Sequence, residues 1–343
     1  MIDIITVYGS YNHGSYLQAA ALQKVLSEYD VTFLVDTKTR EWDVLRTAYR
    51  RTKLFSKYVK PGRLFDILVY EIIEGVIVKG LWKKTNHKDT ITAGCCVLGS
   101  DEIWNIKRKV CRYPVFWGAG IEAKKIAYAP SINTSTFEDF EANAEYIQYL
   151  NQIDCLSVRD YNSKNILDKY TDKDISVVLD PTLLLNPVEI PFTYKKDYIA
   201  VYSFIGQIDE EAQRKIREFA KENNLDLIAT GQTVPWCDKT VHSKDGNPFY
   251  IYKNAKYVIT STFHGTAYAI NYRKNFITFA ENNTKITALV KQFGLENRIV
   301  SSAESVEKIN FKPIDYGEVE RQLEELRKKS FRYIEDAMKS TLN

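Results

Sequence analysis

The N-terminal stretch Ile2-Asp3-Ile4-Ile5-Thr6-Val7-Tyr8 decides the fold class, because it is a run of strand-forming side chains that ends at Gly9. Apolar side chains then recur at helical spacing at Leu17, Ala20, Ala21 and Val25. The same order of strand, turn and helix returns along the chain, with strands predicted at 31–35, 95–98, 125–129, 156–158 and 176–179. Continuous apolar strands separated by helices are typical of a parallel sheet covered on both faces, so the sequence predicts an α/β protein.

A cluster of prolines between Pro181 and Pro191 interrupts this alternation and marks the predicted domain boundary. Strand and helix then alternate again, with strands predicted at 198–204, 225–230, 257–260 and 276–279 and a helix at 209–223. The last stretch, 316–342, is rich in helix formers of mixed charge and predicts a long C-terminal helix.

These signals divide the chain into three predicted parts. They are an N-terminal domain over 1–187 that includes a basic helical segment at 41–82, a second α/β domain over 188–312, and the C-terminal helix over 313–343. Two α/β domains in tandem are expected to face each other across a cleft at the carboxyl ends of their sheets, where such folds bind ligands.

The composition excludes several classes of protein. The 343 residues include 47 Lys and Arg against 44 Asp and Glu, a net charge of +3, so we expect no nucleic-acid partner. No uncharged apolar run reaches the roughly 18 residues of a spanning helix, and the N-terminus does not have the pattern of a secretory signal. The five cysteines form no C-x-x-C pair and the four histidines form no metal motif, which predicts a reduced, cytoplasmic protein without a metal site.

The first candidate site is the loop Gly9-Ser10-Tyr11-Asn12-His13-Gly14-Ser15, between the first strand and the first helix. Unpaired N–H groups at a helix N-terminus attract an anion. The alternative is a plain turn with Ser15 as the N-cap of the helix.

The second candidate follows the strand at 95–98 and reads Leu98-Gly99-Ser100-Asp101-Glu102-Ile103-Trp104-Asn105. Asp101 and Asn105 are expected on one helical face beside Trp104, an arrangement that suits a sugar. The alternative is an N-cap at Asp101 with Trp104 in the core.

Two further strand ends carry a cation or an ionisable ring. Arg159, in Ser157-Val158-Arg159-Asp160, is suited to grip a carboxylate or phosphate, unless it forms a surface ion pair with Asp160. His264 lies in Ser261-Thr262-Phe263-His264-Gly265-Thr266 after the strand at 257–260, and is expected at the positive end of a helix beside an anion. A buried structural histidine is the alternative, but the loop position favours a functional one.

A basic stretch between residues 46 and 63 contains no acidic residue, and a mostly apolar stretch over 64–82 follows it. Its cations are Arg46, Arg50, Arg51, Lys53, Lys57, Lys60 and Arg63. A basic helix with aromatic side chains can lie on an anionic membrane surface, so we expect peripheral contact through 46–82 at the inner face of the membrane. The alternative is a solvated helix face.

Taken together, these motifs resemble those of the polysaccharide pyruvyl transferase family. The family's N-terminal signature is similar to Asn12-His13-Gly14 followed by Leu17-Gln18-Ala19-Ala20-Ala21-Leu22-Gln23. Its other motifs are similar, in the same order, to 99–105, 157–160, Leu179-Asp180-Pro181-Thr182-Leu183-Leu184 and 262–267. The chain departs from the family pattern at His13, Glu102 and Thr262. Some members carry an arginine at the position of Thr262, so donor binding would fall here to Arg159.

The resemblance implies two Rossmann-like domains of the GT-B type. It also implies transfer of pyruvate from phosphoenolpyruvate to two hydroxyls of a sugar, which forms a cyclic ketal and releases phosphate. The expected acceptors are polysaccharide repeat units or their lipid-linked precursors. Phosphoenolpyruvate is the co-substrate, and neither a cofactor nor a metal is implied.

Within this reaction we expect His264 and Asp101 to be the catalytic groups. The donor anions are expected to bind at Arg159, Gly265, Thr262 and Ser261. The acceptor is expected at Asn12, His13, Gly14 and Asn105.

Two other functions remain open from the sequence. One is a GT-B glycosyltransferase that uses a nucleotide sugar, for which Glu281 is a candidate ribose-binding acid. The other is a non-catalytic subunit of a polysaccharide assembly complex, although His264 and Arg159 within their motifs argue against it.

Overall fold

A computed structural model describes residues 1–38, 42–280, 283–300 and 312–342. The chain forms two units, each with its own parallel sheet. Unit 1 is built from Met1–Glu41, Trp82–Leu185 and Arg321–Asn343, and unit 2 from Trp42–Leu81 and Asn186–Glu320.

The main sheet of unit 1 is parallel throughout. Its strands are β1 (Ile2–Ile5), β2 (Thr32–Val35), β3 (His87–Lys88), β4 (Cys95–Leu98) and β5 (Lys124–Ala127), in the spatial order β3-β2-β1-β4-β5. Ile4 on β1 lies opposite Leu34 on one side and Val97 on the other. A further parallel pair, β6 (Leu156–Val158) and β7 (Ile175–Val177), is joined to β5 by the N–H of Ala127, which donates to the carbonyl of Cys155 at 2.8 Å. The strand order reverses at β1 and β4, so the loops after these strands form the expected binding edge.

The helices of unit 1 and its 3₁₀ turns lie between these strands. The helices are α1 (His13–Leu26), α4 (Phe137–Glu141), α5 (Ile147–Leu150), α6 (Tyr161–Leu167) and α7 (Pro181–Leu184), and the 3₁₀ turns are Lys109–Cys111, Pro114–Trp117 and Ala144–Tyr146. The core is centred on Trp104 and Trp117, whose stacked rings have centroids 5.3 Å apart and which pack with Ile5 and Leu98.

Unit 2 has a six-stranded parallel sheet. Its strands are β8 (Tyr198–Tyr202), β9 (Asp226–Thr230), β10 (Lys239–Val241), β11 (Tyr257–Thr260), β12 (Phe276–Phe279) and β13 (Ile299–Val300), in the spatial order β10-β9-β8-β11-β12-β13. Its helices include α8 (Glu210–Glu222), α9 (Phe263–Asn271) and α10 (Thr284–Gln292), with 3₁₀ turns at Pro248–Tyr252 and Glu296–Arg298. Here the order reverses between β8 and β11, which makes the loops after these two strands the binding edge.

The segment 42–81 belongs to unit 2, whereas the sequence patterns assigned it to the N-terminal domain. It contains α2 (Val44–Phe55) and most of α3 (Pro61–Lys84). The physical reason is that Glu71 and Glu74 of α3 are fully buried and bonded to Thr233 and His242 of unit 2. None of the described helices combines the length and apolar character needed to cross a membrane.

The C-terminal helix α11 (Tyr316–Leu342) has the predicted bounds, but it is not a separate element. From Arg321 onward it belongs to unit 1. There the Tyr333 hydroxyl donates to the carbonyl of Ala127 at 2.9 Å, and Ser330 Oγ accepts the N–H of Leu179 at 3.0 Å. The helix therefore completes the packing around β5 and the segment after β7.

Candidate functional site

The loop after β1 ends in a helix cap at Asn12, not at Ser15. Asn12 Oδ1 accepts the N–H of Gly14 at 2.8 Å, and the N–H of Asn12 donates to Ser10 Oγ at 3.1 Å. Asn12 is exposed, whereas His13 and Gly14 are buried. These three residues shape the first turn of α1, and acceptor binding by them stays a prediction.

Buried hydrogen bonds join this first turn to the loop after β4. Ser15 Oγ donates to Asp101 Oδ2 at 2.8 Å, and Ser100 Oγ donates to Gln18 Oε1 at 2.9 Å. Two motifs that are far apart in sequence thus form one polar cluster at the carboxyl ends of β1 and β4.

Residues 101–105 do not form the predicted helical face. Asp101 has a φ of +73°, and the chain turns there instead of entering an α-helix. Asn105 Nδ2 donates to Glu102 Oε2 at 3.2 Å, and Asn105 Oδ1 accepts Ser135 Oγ at 3.1 Å. Trp104 lies in the core, as the alternative interpretation expected. Asn105 is therefore buried and engaged within unit 1, and its contact with an acceptor stays a prediction.

Arg159 is held inside unit 1 by an ion pair, and its partner is Asp180 rather than Asp160. Arg159 Nη1 lies 2.9 Å from Asp180 Oδ2, and the two side chains are 4% and 0% exposed. Asp180 also caps α7 by accepting the N–H of Thr182 at 3.0 Å. Burial alone lowers the pKa of Arg159, but the carboxylates of Asp180 and Asp101 outweigh it and raise that pKa above its ordinary value. The guanidinium thus joins two motifs, and donor binding by it stays a prediction.

In unit 2 the loop after β11 carries the motif histidine. His264 is the second residue of α9 and half-buried, with its ring edge-on to Phe263 at a centroid distance of 5.2 Å. Thr262 is the N-cap, and its Oγ1 accepts the N–H of Gly265 at 3.0 Å. That N–H is therefore engaged within the protein, and donor binding at Gly265 stays a prediction. A Cβ at Gly265 would lie 2.1 Å from Thr260 Oγ1, so α9 can approach β11 this closely only with glycine there.

Ser261 links this loop to the loop after β8. Its Oγ lies 2.9 Å from Ser203 Oγ and accepts the N–H of Phe204 at 3.2 Å. Ser261, Thr262 and Gly265 are buried. Of the four motif residues predicted to be functional here, His264 is the one that is partly exposed, and the roles assigned to all four stay predictions.

The sequence patterns did not predict a histidine–glutamate pair that lies at the carboxyl end of β10. His242 Nδ1 lies 2.8 Å from Glu74 Oε2, where the glutamate side chain is 0% and the histidine side chain 35% exposed. The Tyr70 ring stacks on the His242 ring at 4.3 Å, and the N–H of Ser243 donates to Glu74 at 3.2 Å. A carboxylate on Nδ1 fixes the ring and directs Nε2 away from it. The sequence did offer one signal for this pair, since Glu71 and Glu74 lie three residues apart within an apolar stretch. Carboxylates buried in such a stretch need hydrogen-bonding or charged partners.

Each unit thus gathers its own motif residues at the carboxyl edge of its own sheet. Within the described ranges, no group of three or more His, Cys, Asp or Glu side chains could hold a metal ion. Glu281, the candidate ribose-binding acid, lies outside the described residues.

The family model for polysaccharide pyruvyl transferase matches residues 12–283. No curated protein sequence matches the chain. Among solved structures, MnaA of S. aureus, described as a co-structure with UDP, has a TM-score of 0.56 and 11% identity over 97% of this chain and 95% of that one.

Two other solved structures are similar over nearly the whole chain. A UDP-N-acetylglucosamine 2-epimerase has a TM-score of 0.57 and 10% identity over 98% of this chain and 94% of its own. The glycotransferase of kitacinnamycin has a TM-score of 0.50 and 10% identity over 100% of this chain and 99% of its own. At such low identity the likeness shows the fold alone, which is the α/β fold of GT-B enzymes.

Proposed function

The chain belongs to the polysaccharide pyruvyl transferase family, and on that premise we propose that it transfers pyruvate from phosphoenolpyruvate to two hydroxyls of a sugar in a surface-polysaccharide precursor. The products are a cyclic pyruvate ketal and inorganic phosphate. The observation that carries the proposal is the position of His264, half-buried in the first turn of α9 after the switch-point strand β11. A titratable ring at a positive helix end suits a reaction that moves protons beside a phosphate.

The reaction places both acceptor oxygens on C2 of the donor. Protonation of the methylene carbon makes it a methyl group and leaves an oxocarbenium-like centre at C2, which a first hydroxyl attacks as it loses its proton. The bond from C2 to the phosphate oxygen then breaks, with its electron pair going to the departing phosphate. The second hydroxyl attacks C2 and loses its proton to that phosphate or to the general base, which closes the ketal. This sequence needs a general acid, a general base and a site for the leaving anion.

We assign acid–base catalysis to His264, with the donor phosphate near the N-terminus of α9, where the helix dipole favours an anion. Ser261 and Thr262 hold that loop in place through their hydrogen bonds. Asp101 is the second proposed catalytic group, and Ser15 orients its carboxylate. Arg159 is better described as a positioning residue, because its guanidinium is buried against Asp180.

A GT-B glycosyltransferase remains the second candidate function. The specific observation in its favour is the fold likeness to structures described as a UDP-N-acetylglucosamine 2-epimerase and a glycotransferase. The two functions differ in their products, since one releases phosphate from phosphoenolpyruvate and the other releases a nucleotide from a sugar nucleotide.

The test measures phosphate release from phosphoenolpyruvate with a panel of glycosides and lipid-linked saccharides, with mass spectrometry of the products. A product heavier by one pyruvate less one water is expected. His264→Ala and His264→Gln should each lose roughly 10²–10⁴ in kcat with unchanged thermal stability. His87→Gln is the matched control, because His87 is exposed in unit 1 and outside the motifs. Nucleotide release without phosphate release would overturn the proposal, and full activity of His264→Gln would move the acid–base role to another group, first Asp101.

We further propose that the acceptor is lipid-linked and that α2 and α3 meet it at an anionic membrane surface. The support is a surface that combines exposed cations with exposed apolar side chains. The apolar members are Leu45, Tyr49, Leu54 and Tyr58 in and after α2, and Phe65, Val69, Ile73 and Val76 on α3. The spacing of four, four and three residues puts the α3 members on one helix face.

Cosedimentation with vesicles tests this contact. The protein should sediment with vesicles that contain phosphatidylglycerol, should not sediment with pure phosphatidylcholine, and should be released by salt. Neutralising Arg46, Arg50 and Lys53 together should weaken sedimentation. Arg51 is left unchanged, because it is paired with the buried Glu71. Equal sedimentation with both kinds of vesicle would favour a solvated helix face.

A further inference from the structure

Unit 2 contains a cavity of about 410 Å³ at the carboxyl edge of its sheet, outside the family motifs. Its walls are the loops after β8 and β9, the first turns of α8, and Lys57 and Tyr58 between α2 and α3. This volume lies within the range of sites that bind small molecules.

The walls of this cavity are held in place by hydrogen bonds. Thr233 Oγ1 donates to Glu71 Oε1 at 3.1 Å, which fixes the loop after β9 against α3. Arg63 Nη1 donates to the carbonyl of Pro235 at 3.4 Å in the same loop. Gln213 Nε2 donates to the carbonyl of Ile208 at 2.8 Å, which fixes the loop after β8 against α8. The cavity is therefore preformed, and a ligand would not have to order these loops.

The lining combines aromatic rings with two cations and one carboxylate, that of Glu210. Tyr58, Phe204 and Trp236 supply the rings, of which Tyr58 and Phe204 are 51% and 43% exposed. Lys57 and Arg217 supply the cations, and within the described part of the chain neither makes a hydrogen bond or an ion pair. Aromatic faces suit the apolar faces of a sugar ring, and a guanidinium suits a phosphate.

The cavity adjoins the loop of His264. Ser203 lines the cavity, and its Oγ lies 2.9 Å from Ser261 Oγ, three residues before His264 in sequence. A ligand in the cavity would therefore approach the proposed donor site from the β8 side.

We propose that this cavity binds a saccharide that carries phosphate at its reducing end, with Lys57 and Arg217 on the phosphate and the aromatic rings against the sugar. It deepens the proposed function and rests on it, because it identifies this saccharide as the acceptor and assigns its phosphate end to unit 2, not to the acceptor residues of unit 1 predicted from the sequence. The same chemistry occurs in a soluble sugar 1-phosphate and in a polyprenyl-linked glycosyl phosphate.

Calorimetric titration without phosphoenolpyruvate tests the site, with glucose 1-phosphate as the probe. Binding is expected, and methyl glucoside and inorganic phosphate should each bind more weakly. Arg217→Ala should raise the Kd for glucose 1-phosphate roughly tenfold or more, which is the usual effect of losing a charge-assisted hydrogen bond. Trp236→Ala should weaken the binding of glucose 1-phosphate and leave the binding of inorganic phosphate unchanged. Arg214→Ala is the matched control on the same helix, because Arg214 is exposed and paired with Glu211 and Glu218.

The remaining probes identify the source of the ligand. The first of these probes is a short polyprenyl-linked glucosyl phosphate. If it binds more tightly than glucose 1-phosphate, the acceptor is lipid-linked, and if the two bind equally, the acceptor is soluble. UDP-glucose is the second probe: if it binds more tightly than glucose 1-phosphate and Arg217→Ala abolishes that binding, the cavity holds a nucleotide and the proposal is overturned. Equal binding of inorganic phosphate and glucose 1-phosphate would reduce the site to an anion site and also overturn it.

Kinetics separate a failure of this site from a failure of the proposed function. With a working acceptor, Arg217→Ala should raise the acceptor KM and leave the phosphoenolpyruvate KM unchanged. If glucose 1-phosphate binds but no acceptor supports phosphate release from phosphoenolpyruvate, the proposed pyruvyl transfer is overturned. The cavity would then still be a site for sugar phosphates. Phosphate release with an unaltered acceptor KM in Arg217→Ala would overturn the cavity assignment and leave the function standing.

Discussion

Replacing Arg159 by methionine removes the guanidinium and keeps a long unbranched side chain. The change leaves the carboxylate of Asp180 fully buried without the cation that lies 2.9 Å away in the native protein. Breaking a buried ion pair by removing one partner typically costs about 3–5 kcal/mol, because an uncompensated charge stays in the interior. We therefore expect a loss of stability of about that size in unit 1.

Urea unfolding followed by tryptophan fluorescence measures this loss. Trp82, Trp104 and Trp117 belong to unit 1, so the signal reports chiefly on that unit. Arg214→Met is the control, since its ion pairs are about half exposed to solvent and their loss should leave the unfolding midpoint nearly unchanged.

A second substitution separates buried charge from lost packing. Asp180→Asn keeps an oxygen that can cap α7 and removes the charge, so Arg159→Met with Asp180→Asn should recover part of the lost stability. Arg159→Met with an unchanged unfolding midpoint would refute the structural role. In that case the arginine would return as a donor-binding group, and its loss should raise the phosphoenolpyruvate KM.

Three further predictions concern unit 2 and the thiols. Glu74→Ala leaves His242 without its buried acceptor and should destabilise the protein by about 1–3 kcal/mol in thermal unfolding, so an unchanged transition would contradict the pairing. Gly265→Ala places a methyl group 2.1 Å from Thr260 Oγ1 and should cost about 1–3 kcal/mol, which the same measurement checks against wild type. Burial raises the pKa of Cys96 to about 12, so below that pH the thiol stays neutral, and iodoacetamide at pH 8 should modify it only after unfolding. Modification of the native protein within minutes would show that this cysteine is accessible.

The central strands could be predicted because every residue in them is buried, which leaves an uninterrupted apolar run. Cys95–Leu98 is such a strand, and its predicted and observed bounds agree. Lys239–Val241 is an edge strand whose residues are exposed or half-buried, so it leaves no apolar run to recognise. Short edge strands are set by their neighbours in the sheet and not by their own composition.

The strand-to-helix junction of His264 was also predictable, because the motif lies between a buried strand and a helix with a threonine N-cap, and the structure confirms it. The helical face predicted for Asp101 and Asn105 was wrong, since a φ of +73° at an aspartate cannot be seen from residue spacing. The pairing of His242 with Glu74 spans 168 residues and depends on α3 belonging to unit 2. No local pattern carries that information.

Because unit 1 is assembled from three separate stretches of sequence, its first stretch depends on residues that are synthesised much later. The N–H of Leu179 and the carbonyl of Ala127 bond to Ser330 and Tyr333 of α11, so the packing around the first sheet stays incomplete until α11 has been synthesised. A nascent chain that ends at Leu185 lacks these contacts, and it also holds α2 and most of α3 without the unit 2 residues that pair with the buried Glu71 and Glu74 of α3. Premature termination therefore spoils both units at once, and exchanging one unit between relatives requires cuts at several places in the gene.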